Sequence, residues 1–112
     1  MKVVINDCHG GFSLSHEAII GYLSLKGIKY EAKVSIHGWA CDEYYLEDGS
    51  RFWHRDILRN DPALVQVVEQ LGSSAAGSCA ELKIVEIPDD VEWQIEEYDG
   101  LEWVAEVHRT WR

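Results

Sequence analysis

Asn6-Asp7-Cys8-His9-Gly10-Gly11-Phe12-Ser13-Leu14-Ser15 is the stretch on which the fold turns. An apolar run, Val3-Val4-Ile5, precedes it, and an amphipathic segment from His16 to Lys26 follows. The β-branched run predicts a short buried strand over Lys2–Asn6. Ser15 is a good N-cap, and Leu14 and Ile19 stand at hydrophobic-staple spacing, which predicts a helix that Gly27 ends. A strand that enters a helix through Gly10-Gly11 leaves backbone N–H groups free to face an anion, and Ser13 adds a hydroxyl. The same glycines serve equally well as a plain turn with positive φ, with Phe12 as a core plug.

Outward from this stretch, Ile28–His37 alternates apolar and polar residues, as a half-buried strand does. Tyr44 to Trp53 reads as a β-hairpin turning at Asp48-Gly49. Asn60-Asp61-Pro62 starts a second helix, whose buried face is Leu64, Val65, Val67, Val68 and Leu71, and Gly72 stops it. Ser73–Ser78 is small and reads as a linker or a lid. Leu82–Ile87 and Val91–Tyr98 are further strands. Asp99 and Glu102 form a capping box for a last helix, with Leu101, Val104, Ala105 and His108 on one side; Asp99-Gly100 is equally a hairpin turn. The expected fold is α+β, a mostly antiparallel sheet with two or three helices packed on one face. At 112 residues the chain is read as a single domain, 1–112.

Composition excludes several classes. Apolar residues make up 46% of the chain, too many for a disordered one. No apolar run approaches the roughly 20 residues of a membrane span, and the N-terminus lacks the features of a signal peptide, so a cytoplasmic protein is expected. Cys8, Cys41 and Cys79 are odd in number and widely spaced, which argues for reduced thiols. The net charge of −10 disfavours DNA, RNA and anionic membranes as partners. Yet all the arginines fall in two stretches, Arg51, Arg55 and Arg59 in one and Arg109 and Arg112 in the other. In an acidic chain such gathering suggests a local anion site; pairing with nearby carboxylates is the plain alternative.

Arg51-Phe52-Trp53-His54-Arg55 interleaves guanidinium groups with flat rings, as a nucleotide site does. His108-Arg109-Thr110-Trp111-Arg112 does the same at the chain end. Candidate ligand-binding residues are therefore Gly10, Gly11, Ser13, Arg51, Phe52, Trp53, Arg55, Arg109 and Trp111. Arginines grip phosphate, Phe52 or Trp53 and Trp111 stack on a base, and the Gly10-Gly11 loop supplies backbone donors. A site split between the middle and the end of the chain favours a homo-oligomer. Catalysis is the weaker reading: Asp7, Cys8 and His9 are adjacent, but neighbouring strand residues face opposite ways. Cys8, His9, His37, Cys41 and Cys79 show no CxxC or HxxxH spacing, so neither a metal nor any other cofactor is expected.

The residues from Asn6 to Ser15, Val85 to Trp93, Tyr98-Asp99-Gly100 and His108 to Trp111 resemble a family of small proteins from tailed bacteriophages and prophages. The likeness covers most of the chain and is best at its two ends; where that family has a Tyr after the cysteine, this chain has His9. It is also similar in size and residue usage to phage anti-defence proteins that sequester cyclic nucleotide signals without catalysis. The resemblance implies a protein of the host cytoplasm that captures a small nucleotide. The alternative it implies is an acidic inhibitor of a host defence protein that binds nucleic acid, acting through Glu92, Glu96, Glu97, Asp99 and Glu102. A small nucleotide-processing enzyme using Asp7, Cys8 or His9 is the third reading.

Overall fold

The computed structural model describes residues 1–33, 43–78 and 80–107. In chain order they form β1 (Lys2–Asn6), α1 (His16–Leu25), β2 (Tyr30–Lys33), β3 (Glu43–Leu46), β4 (Arg51–Phe52), α2 (Pro62–Leu71), β5 (Leu82–Glu86), β6 (Trp93–Tyr98) and β7 (Leu101–Glu106). The class is α+β. The strands pair antiparallel in three separate small sheets, β1-β5, β2-β3-β4 and β6-β7, in place of the single sheet expected.

Both helices start where local chemistry places them. The Ser15 side chain accepts from the Ala18 amide, and Gly27 follows α1 at φ 68°. Asp61 accepts from the Ala63 amide, Pro62 opens α2, and Gly72 follows it at φ 57°. Their apolar faces, Ala18, Ile19, Tyr22 and Leu23 on α1 and Leu64, Val65, Val67 and Val68 on α2, are buried. Leu14, Tyr44, Ile57 and Ala75 join them in one core with Val4 of β1. Val3, Val4 and Ile5 are 0, 0 and 4% exposed, and each such side chain contributes about 1.5–3 kcal/mol by leaving water. No helix among the described residues is long and apolar enough to cross a membrane.

Two sequence expectations are corrected. The last segment is a hairpin, not a helix: Asp99 and Gly100 adopt φ 49° and 88°, and β6 pairs with β7 from Trp93↔Glu106 to Tyr98↔Leu101. Asp-Gly suits a turn with positive φ at both central residues, and here it prevails over the capping box. Ser73–Ser78 is neither linker nor lid. A 3₁₀ turn over Gly72–Ala75 buries Ala75 completely, and Leu14 bridges to Ala76.

One edge of β1 pairs with β5; among the described residues no strand covers the other. The Val4 amide donates to the Arg59 carbonyl at 2.8 Å, Arg59 Nη1 donates to the Val4 carbonyl at 3.3 Å, and the Asn6 amide donates to Glu102 Oε1 at 2.8 Å. Arg59 and Glu102 close on each other through two bonds of 2.6 and 2.9 Å. Asn6, fully buried, accepts from the Glu81 amide and donates to the carbonyls of Cys8 and Gly100. This polar layer ties β1, the start of β5, the segment before α2 and the tip of the last hairpin together.

Arg59→Met leaves Glu102 buried without its cation, and the expected loss in urea unfolding is about 3–5 kcal/mol. Breaking the Lys2–Glu69 pair, whose side chains are 49 and 46% exposed, is expected to leave the unfolding midpoint unchanged.

A second test concerns Asp61. Burial works against its charge, but the Ala63 amide, the Tyr22 hydroxyl and Lys26 outweigh that and hold the carboxyl below its ordinary value. Burial and the bond to Asp61 push Tyr22 up to about 12. Below the ordinary carboxyl value the unfolded chain takes up a proton first, so the Asp61 contribution is present at neutral pH and is lost as pH falls through the folded value. For Tyr22 the sign reverses: its contribution is complete below the free tyrosine value of about 10 and is lost as pH rises towards the folded value. Asp61→Asn, which keeps a capping side chain, is expected to flatten the acid limb of stability against pH and to reduce the alkaline one, where the burial of Tyr22 still acts.

Candidate functional site

A cleft of about 1070 Å³ opens where the Gly10–Ser15 loop, the start of α1, the 3₁₀ turn at His54–Asp56 and the last hairpin meet. One wall is the loop itself. It is held to the segment after α2 by the Ser15 amide to Ala75 carbonyl bond (2.8 Å) and the Gly77 amide to Ser13 carbonyl bond (3.1 Å). The Ser15 hydroxyl donates to the Ser74 carbonyl and the Ser13 hydroxyl to the Ser78 carbonyl. Ser13 is therefore engaged as a fastener, not held free as a phosphate donor.

Rings line the interior. The His16 and Tyr44 rings stack at 5.7 Å with 2.6 Å between His16 Nδ1 and the Tyr44 hydroxyl oxygen. Phe12 lies between two groups: the Arg59 guanidinium, 3.5 Å above its centroid, and the His54 ring, 6.0 Å away. His54 is half-buried. Burial, then the adjacent Arg55 charge, depress its pKa below the usual histidine value despite the Phe12 carbonyl, so the ring is neutral near pH 7.

The charged lining divides in two. Arg59 and Glu102 neutralise each other. Arg55 and Glu97 are exposed, and among the described residues neither takes part in an ion pair. The cleft thus offers one available guanidinium, one available carboxylate, and the start of α1, whose first-turn amides carry about half a positive charge.

Of the residues singled out from sequence, Gly10, Gly11, Ser13 and Arg55 line this cleft. Arg51, Phe52 and Trp53 do not. β4 ends at Phe52 and the chain enters the 3₁₀ turn at His54, so strand alternation sends Phe52 inward to stack on Tyr22 at 6.0 Å. Arg51 instead lies 3.8 Å over the Trp53 ring, with Nη1 3.9 Å from Glu43, away from the cleft. Asp7, Cys8 and His9 stand outside the lining, and His9 meets the edge of Tyr98 at 6.4 Å. Cys8 is a half-buried thiol. Arg109 and Trp111, like Arg112, His37, Cys41 and Cys79, lie outside the described residues. No group of three or more metal-ligating side chains occurs among the described residues.

Sequence reasoning missed His16, Tyr44, His54 and Glu97 as lining residues. His54 lies inside the marked Arg51–Arg55 stretch without being among its candidate residues. The His16–Tyr44 pairing spans 28 positions and has no local signal.

The hairpin tip presses on the glycine loop. A Cβ at Gly100 would stand 2.5 Å from the Gly11 nitrogen and 2.9 Å from the His9 carbonyl oxygen, and one at Gly49 would meet nothing within 4 Å. Both have similar positive φ, 88° and 86°. Gly49→Ala is expected to cost about 1 kcal/mol of backbone strain. Gly100→Ala adds a clash with backbone, for an expected total of about 2–4 kcal/mol in urea unfolding.

No protein-family model matches this chain, and no curated protein or solved structure matches it.

Proposed function

We propose that the protein is a non-catalytic binding protein that captures a small nucleotide or cyclic nucleotide in the cleft between the glycine loop and the last hairpin. The observation that carries this reading is Arg55: an exposed guanidinium without an ion-pair partner among the described residues, on the rim of a cleft lined with rings. It grips phosphate by charge-assisted hydrogen bonds. The α1 N-terminus and the Gly10-Gly11 backbone favour the same charge. His16 and His54 supply flat surface for a base. Glu97 accepts from an amino group or a sugar hydroxyl of the ligand. The resemblance to small phage proteins supports signal sequestration in the host cytoplasm as the biological purpose. Arg51 and Trp53 form their own stacked pair on a different surface and take no part.

Calorimetric titration with a panel of linear and cyclic nucleotides tests this. At least one is expected to bind and to be recovered chemically unchanged. Arg55→Ala is expected to weaken it by about tenfold or more, the worth of one charged hydrogen bond. Arg51→Ala is expected to change affinity by less than about twofold, because exposed residues away from the contact matter little. Absence of heat across the panel, or equal losses in the two variants, rejects the reading.

A further inference from the structure

The hairpin β6–β7 carries a second surface. Cross-strand pairing places Glu97 and Glu102 together on the side that faces the cleft, and Glu96, Tyr98, Leu101 and Trp103 on the other. That other side is open: Tyr98 is 71% and Trp103 41% exposed. It is also ordered. The Trp103 indole N–H donates to Glu96 Oε2 at 3.0 Å, and Gln94 Nε2 donates to Glu96 Oε1 at 3.1 Å. A ring and a carboxylate are thereby held side by side, at little remaining cost in side-chain freedom on binding.

Charge selects the occupant. From Ile84 to Val107 the sequence has many carboxylates and no Lys, Arg or His. His9 meets the edge of Tyr98, so a histidine stands at the border of this face. A like-charged second copy laid on the same face sets Glu96 against Glu96, and nucleic acid or an anionic bilayer is repelled. A guanidinium, in contrast, meets a ring face and a carboxylate together, gaining cation–π attraction and a charged hydrogen bond.

We propose that this face docks a basic, arginine-bearing protein surface, with an arginine of the partner stacked on Trp103 and paired to Glu96. The proposal is independent of the cleft and its ligand. Within it, Glu102 has no docking role, because that carboxylate is buried against Arg59.

The test titrates the full chain with an oligo-arginine peptide and an oligo-lysine peptide of equal length, at ionic strength about 0.15 M where long-range attraction is screened. The arginine peptide is expected to bind more tightly. The double variant Tyr98→Ala/Trp103→Ala, which leaves net charge unchanged, is expected to weaken it about tenfold and to bring the two peptides level. Glu17→Gln/Glu69→Gln, which removes two charges elsewhere, is expected to change affinity by less than about twofold. In isotope-labelled wild-type protein, the Trp103 indole N–H resonance is expected to shift during the titration, a readout that needs no variant to fold. Equal effects of the two double variants, or a stationary indole resonance, mean mere polyelectrolyte attraction and overturn the proposal. Sedimentation showing a dimer that the aromatic variant abolishes assigns the face to a second copy and overturns it too.

Discussion

A buried strand edge must find hydrogen-bond partners, and in this protein a carboxylate and a guanidinium supply them. Among the described residues, β1 is covered by a strand, β5, on one side only. On its other side the Arg59 main chain and side chain serve Val4, and Glu102 serves the Asn6 amide. Unpaired amides there would each cost about 1–3 kcal/mol. Taking both charges out of water is costly as well, and it is offset here by bidentate geometry and by the backbone bonds each group also makes. The consequence is positional. Glu102 sits on β7, so satisfying β1 pins the last hairpin against the strand at the opposite end of the chain.

That pinning shapes the cleft. The hairpin tip is brought so close to the glycine loop that Gly100 tolerates no side chain against Gly11. Asn6 locks the same junction from beneath by bonding the carbonyls of Cys8 and Gly100. With Arg59 and Glu102 neutralising each other, the available charge passes to Arg55 and Glu97. The three central arginines therefore have different roles although they are near neighbours in sequence. Arg51 stacks on Trp53, Arg59 is a structural ion, and Arg55 faces the cleft. A shared anion is thus not the common cause of their clustering.

The hairpin also divides the acidic charge of the chain between two surfaces. Alternation along a strand sends neighbouring carboxylates to opposite sides. Glu97 goes to the cleft and Glu96 to the outer face, where it fixes Trp103. Glu102, counted from sequence among the exposed acids, is the one withdrawn into the interior.

The chain by itself determined what depends on nearest neighbours. β1 follows from a β-branched run, α1 from Ser15 and Gly27, α2 from Asp61, Pro62 and Gly72, and the β3–β4 hairpin from Asp48-Gly49. In each, the deciding interaction lies within a few residues, and its strength does not depend on the rest of the molecule. Asp99-Gly100-Leu101-Glu102 marks the limit: locally it permits a capped helix or a hairpin turn. The choice falls to the hairpin, in which Glu102 reaches Arg59, 43 positions away, and the Asn6 amide, 96 positions away. Tertiary structure likewise decided that His16 meets Tyr44, that Arg55 and not Arg51 faces the cleft, and that Ser13 fastens the loop. These depend on side chains brought together across long separations, where short-range propensity carries no information and burial of paired polar groups selects the arrangement.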